Sequence, residues 1–188
     1  MQPILRNMLA GKRADAGVAA IEFAFIVPVF LVLFAGIVDV SQMLYAYYQL
    51  DQAVAAGSQY AVLNAANVTS TTGASLASSI ATVVENANGT AWTNDAVVVN
   101  NGPTVTVTNE NASSSGTAAN ADDYYCLTGS QMSWTWGTGY TTQTNCSGGG
   151  TAGKYVTITA SYSFVPLVSI YHVIGSSTLH QSAAVRVQ

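Results

Sequence analysis

Residues 18–38 read Val18-Ala-Ala-Ile-Glu22-Phe23-Ala-Phe-Ile-Val-Pro28-Val-Phe-Leu-Val-Leu-Phe-Ala-Gly-Ile-Val38. Glu22 is the only charge in this run. A hydrocarbon core is crossed by about 20 such residues as a helix. Three of the chain's five bases, Arg6, Lys12 and Arg13, precede the run, while Asp39 and Asp51 follow it. The positive-inside rule then places the N-terminus in the cytoplasm and the rest of the chain outside. No second apolar run of that length occurs, so a single span is expected. A secretory signal would put its small-residue cut after a shorter apolar run. Here Ala14-Asp15-Ala16-Gly17 comes before it. A plain signal anchor is the simpler alternative.

Working outward, the whole chain is poor in charge. Of 188 residues, 5 are basic and 9 acidic, 7% in all. An ordinary soluble domain carries roughly 25%. Five bases do not make the cationic cluster a nucleic-acid interface requires. Charge-rich disorder is equally disfavoured in a chain that is 49% hydrophobic. Beyond the span enough chain remains for one modest core.

Val40, Leu44, Tyr47, Leu50 and Val54 recur at three- and four-residue steps, one face of a helix. With the span they predict one helix over 18–66, roughly 70 Å long at 1.5 Å per residue. Pro28 removes one backbone bond within it and crowds the carbonyl of Ala24, which predicts a local bend or loosening. Tyr45, Tyr47, Tyr48 and Tyr60 read as packing and interface residues. Residues 67–73 break the pattern, and a second, short helix is expected over Ser75–Ala87, stopped by Asn88-Gly89. Strands are expected over 96–100, 104–108, 154–164 and 178–187, where Val105 and Val107, or Val156, Ile158 and Ala160, alternate with Ser and Thr. Asn101-Gly102-Pro103 suggests a hairpin turn. Residues 109–153, rich in Ser, Thr, Asn and Gly, give the weakest signal. Helices first and strands after predict an α+β fold, the long helix packed on an antiparallel sheet.

Gly17-Val18-Ala-Ala-Ile-Glu22-Phe23 has a Gly, then Glu at the fifth position after it and an aromatic at the sixth. This resembles a type IV prepilin processing site. The longer string from Gly17 to Phe30 resembles the start of TadE-like proteins, pseudopilins of the tight-adherence (Flp) pilus machinery. The stretch from Tyr155 to Val187, with Phe164-Val165-Pro166-Leu167 and the late Arg186, is also similar to that family. The resemblance implies a pilin-like layout of four parts. Residues 1–17 would be a cleaved cytoplasmic leader and 18–38 the transmembrane helix. Residues 39–66 would continue it into the periplasm, and 67–188 would form a periplasmic α+β domain. It implies cutting between Gly17 and Val18 by a prepilin peptidase. It also implies partners among other pilin subunits and the inner-membrane pilus machinery, besides the bilayer, and a location in the bacterial inner membrane.

An ionisable residue inside a span is by default a functional hypothesis. Were the chain cut after Gly17, Val18 would carry an ammonium one helical turn from Glu22. A neighbouring subunit's ammonium could then pair with this carboxylate, since a charge in low dielectric needs a partner. That pairing would set the axial register of an assembly. The simpler reading is a membrane-edge Glu that snorkels or takes up a proton.

Cys126 and Cys146 lie beyond the span, and two thiols in an oxidising compartment are expected to pair. Without His or further Cys they make a poor zinc set. Gly148 to Lys154 fits G-x-x-x-x-G-K, but Tyr155 stands where a phosphate-binding loop has Ser or Thr, and a strand follows where a helix should. His172 and His180 lack partners in sequence. Asp122-Asp123 reads as a solvated pair, and the N-x-S/T strings at Asn67, Asn88, Asn111 and Asn145 as products of composition. No catalytic signature is present, so no enzyme, cofactor or metal is expected. The alternative function is a signal-anchored binding or adhesion module that offers Trp134, Trp136 and Tyr140 to glycans or surfaces.

Overall fold

The computed structural model describes residues 3–87, 94–109, 111–167 and 175–188. Helix α1 spans Pro3–Leu63 and is unbroken through Pro28. It takes in residues expected to form a leader, and it stops short of Ala66. There the Asn64 side chain donates back to the Tyr60 carbonyl, and a 3-10 turn, Ala65–Asn67, follows. Helix α2 spans Gly73–Asn86. Its start is organised by threonines: Thr69 Oγ1 accepts the Thr72 N–H, and the Thr72 hydroxyl donates to the Asn67 carbonyl. The expected stop at Asn88-Gly89 lies outside the described residues.

The strands are β1 (Asn94–Val99), β2 (Thr104–Thr108), β3 (Asn111–Ser115), β4 (Thr128–Ser130), β5 (Ser133–Thr135), β6 (Tyr155–Phe164) and β7 (Ser177–Arg186). Five of them form an antiparallel sheet in the order β3-β2-β1-β6-β7, and β4 and β5 form a small hairpin apart from it. The fold is α+β. Strand alternation puts Val97, Val99, Val105, Val107, Val156, Ile158 and Ala160 in the core. Leu76, Ile80 and Val84 of α2, with Leu50, Ala53, Val54 and Ala61 of α1, complete it.

The described residues form two compact units. The first is residues 1–43 with 165–175, and the second is 44–164 with 176–188. In the second unit Gly57 marks a close approach of α1 to its neighbours. A Cβ placed there would stand 2.7 Å from Val84 Cγ2 and 3.1 Å from Ile158 Cδ1. The helical face read from sequence holds only in part. Leu50 and Val54 are buried, but Val40, Leu44 and Tyr47 are exposed within the chain. Periodicity marks a face that is apolar, and it does not say whether protein, lipid or another subunit covers it.

The β1–β2 turn differs from the expected one by a residue. Asn100 and Asn101 both have positive φ, 52° and 55°, and Gly102 N–H donates to the Val99 carbonyl. Two left-handed residues suit the twist of a hairpin, and Asn tolerates that region better than other side chains. Asn100 is fully buried, and its amide donates to the carbonyls of Ala121 and Asp123 while its oxygen accepts the Tyr155 N–H. It ties the hairpin to the 3-10 segment Ala118–Asp122.

Candidate functional site

The apolar run lies on α1. Ile21, Phe23, Phe25, Phe30, Leu33, Phe34 and Ile37 are all exposed, Phe25 to 77%. Of the most apolar 18-residue window of the helix only 6% is buried. This surface is far beyond the few hundred Å² of contiguous apolar patch that a soluble monomer shows. Among the described residues this is the one helix long and apolar enough to cross a membrane. Its length and composition make it a candidate membrane anchor.

The residues singled out for processing, assembly and the helix bend all fall on it. Gly17 and Val18 are exposed and helical, as are Glu22, Phe23 and Pro28. Val18 and Glu22, four apart, stand one above the other on the same helical face. No hydrogen bond or ion pair reaches the Glu22 carboxylate from the described residues. At the far end of the run the situation is reversed. Asp39 is buried to 1% exposure, and its Oδ1 accepts the Leu167 N–H at 3.0 Å. The sequence held no signal for this contact, since the partners are 128 residues apart.

Cys126 and Cys146 form a disulfide with Cα atoms 5.7 Å apart, inside the usual range. It closes a loop that holds β4, β5 and Trp136, whose ring meets that of Tyr125, just before the loop, edge to face at 5.8 Å between centroids. Trp134 and Trp136 are half-buried, while Tyr140 is exposed. Lys154, the last residue of the G-x-x-x-x-G-K string, is buried. Its Nζ donates to the Val68 carbonyl at 3.0 Å and lies 5.7 Å from the Tyr124 ring centroid. Asp122 is likewise engaged, accepting the Ser70 N–H at 2.9 Å, and the Ser70 side chain, followed by this backbone bond, holds its carboxyl below the usual range. The two connections, 68–70 and 122–124, are thereby pinned to each other. His180 is exposed on β7, and His172 lies outside the described residues. Among the described residues no three His, Cys, Asp or Glu side chains gather to hold a metal.

One polar residue that sequence reading missed is Asp95. It is 3% exposed, on the core-facing side of β1, and neither carboxylate oxygen has a hydrogen-bond partner. Burial and the nearby Glu85 raise its pKa to about 7.

An apolar exposed N-terminal helix and an α+β unit define a class: proteins with a candidate membrane anchor at the N-terminus. Residues 17–59 match the family model described as TadE-like protein. The match begins at Gly17 and is a similarity to that family over the apolar helix and its continuation. No curated protein and no solved structure matches the chain.

Proposed function

We propose that this chain is a minor pilin or pseudopilin acting in assembly of a tight-adherence pilus. A prepilin peptidase cuts it between Gly17 and Val18, and the new ammonium pairs with a neighbouring subunit's Glu22. The α+β part then lies in the periplasm and meets other pilin subunits and the inner-membrane machinery. The role is structural, with no chemistry of its own.

The observation that carries this reading is the contrast between two carboxylates on one helix. Asp39, at the outer end of the apolar run, is satisfied by a backbone N–H of the same chain. Glu22, one helical turn inside the start of the run, is exposed and receives no such bond from the described residues. An unpaired charge in hydrocarbon is costly, so its partner has to come from another molecule or from a new terminus. The TadE-like match beginning at Gly17 points to the same place.

Two measurements test it. N-terminal sequencing of the mature protein should begin at Val18, and an intact Met1 would remove the central premise. Glu22→Ala should still be processed and inserted but should not support piliation. Wild-type pili in that variant would refute the pairing.

A further inference from the structure

The connection between β6 and β7 belongs to the same compact unit as the apolar part of α1. Its first residues are Val165, Pro166 and Leu167, and Val165 is 68% and Leu167 71% exposed. Two large aliphatic side chains turned outward in adjoining positions have no role in the core. No Asp, Glu, Lys or Arg occurs anywhere between Lys154 and Arg186, so this connection carries no such side chain of its own against an apolar surrounding. The place of the turn is fixed by Asp39, whose Oδ1 takes the Leu167 N–H at 3.0 Å. Asp39 is the first residue after the apolar run 18–38, one helical rise of about 1.5 Å beyond its end. Leu167 stands within a side-chain length of it and so shares its depth whatever the tilt of the helix.

We propose that the Val165–Leu167 turn is a second membrane-contacting element, set by Asp39 into the outer headgroup region beside the span. Its occupant is lipid, because the turn continues the apolar surface of α1 at the level where that surface ends. The buried Asp39 carboxylate thereby acts as a positioning residue. It holds a backbone N–H that would otherwise be unpaired near the hydrocarbon, where an unmet polar group is costly. The proposal rests on α1 being the anchor, and the test below separates the two.

The full chain, with Cys126–Cys146 kept oxidised, is labelled through Leu167→Cys with an environment-sensitive fluorophore. It is reconstituted alone into phosphatidylcholine vesicles whose acyl chains are brominated either near the headgroup or near the chain end. Phe34→Cys serves as the reference inside the span, and Ser133→Cys on β5 as the reference in water. The label at 167 should lose emission chiefly to the shallow bromines, that at 34 to the deep ones, and that at 133 to neither. A label at 167 that behaves like the one at 133, while 34 is quenched, overturns the proposal and leaves the anchor standing. Loss of quenching at 34 removes the anchor and the proposal together. A label at 167 blind to bromine that changes only when other pilus subunits are added assigns the turn to protein and also overturns it. In Asp39→Ala the shallow quenching at 167 should weaken while that at 34 stays. Asp39→Asn, which keeps an acceptor oxygen, should retain it. Equal quenching in all three backgrounds overturns the positioning role.

Discussion

Gly57→Ala sets two known effects against each other at one position. Alanine is a better helix former than glycine by about 1 kcal/mol in a helix interior, so the substitution should stabilise α1 considered alone. The new methyl, however, would stand 2.7 Å from Val84 Cγ2, 3.1 Å from Ile158 Cδ1 and 3.4 Å from Ile80 Cγ2. Carbon atoms pack best at about 3.5–4.0 Å. The Ile158 methyl is the end of a flexible chain and can swing away. Val84 cannot do so readily, since a β-branched residue in a helix keeps one strongly preferred rotamer. Helix α2 or α1 must shift, and overpacking of this kind costs about 1–3 kcal/mol. The net expectation is a loss of about 1 kcal/mol, or a fall in Tm of about 2–4 °C for a chain of this size. Thermal unfolding of the full chain in detergent, followed by near-UV circular dichroism, reads it. Val84→Ala removes the obstruction at its own cost. In that background Gly57→Ala should raise stability by about 1 kcal/mol, a coupling of about 2 kcal/mol between the sites. A Gly57→Ala single variant that is stabilised by its full helix propensity would refute the close packing of α1 on α2 and β6.

Two further expectations concern the α+β unit. Asp95 keeps its proton in the folded state up to about pH 7, whereas in the unfolded chain it ionises near 3.8. The folded state therefore binds more protons between these values. The contribution of this group to stability is greatest below pH 4, falls as pH rises to about 7, and is flat above. Asp95→Asn should remove that slope and raise Tm at pH 8 relative to wild type, as thermal melts across pH 4–8 would show; an unchanged slope would place the effect elsewhere. Cys146→Ser opens the loop closed by the disulfide and should cost about 3 kcal/mol by chain entropy. Limited proteolysis should then cut within 127–145 at protease levels that leave the oxidised protein intact, and equal resistance would mean the loop holds itself by other contacts.

The sequence was most legible where one face of an element is wet and the other dry. Strand β2 has the ends expected from Val105 and Val107, β6 differs from expectation by one residue at its start, and β7 by one residue at each end. Strand β3, Asn-Ala-Ser-Ser-Ser, is wholly exposed on the sheet edge, so no alternation marks it. Asp95 had a signal that went unused. It stands two residues before Val97, in phase with Val97 and Val99, so extending the alternation inward would have placed a carboxylate in the core. The expected strand began at Ala96 instead, because an Asp reads as a boundary. The Glu22 site was legible because a charge inside an apolar run is conspicuous locally. The Asp39 contact was not, since its partner is a backbone N–H that sequence does not distinguish from any other.

The scarcity of charge gives each charged side chain of the described residues an unusual weight. Lys154 and Asp122 are spent on holding connections together, through the Val68 carbonyl and the Ser70 N–H. Asp39 is spent on the β6–β7 turn. Each of these is neutralised or solvated by backbone groups of the same chain, which needs no partner and works in a monomer. Glu22 and Asp95 depart from that pattern in opposite ways. Asp95 is enclosed, so it answers its surroundings by holding a proton. Glu22 lies on an apolar surface with no partner among the described residues, and the proposed function supplies one from a new terminus created by cleavage. Glu22, near the start of the apolar run and without a hydrogen-bond or ion-pair partner among the described residues, is where the proposed assembly contact falls.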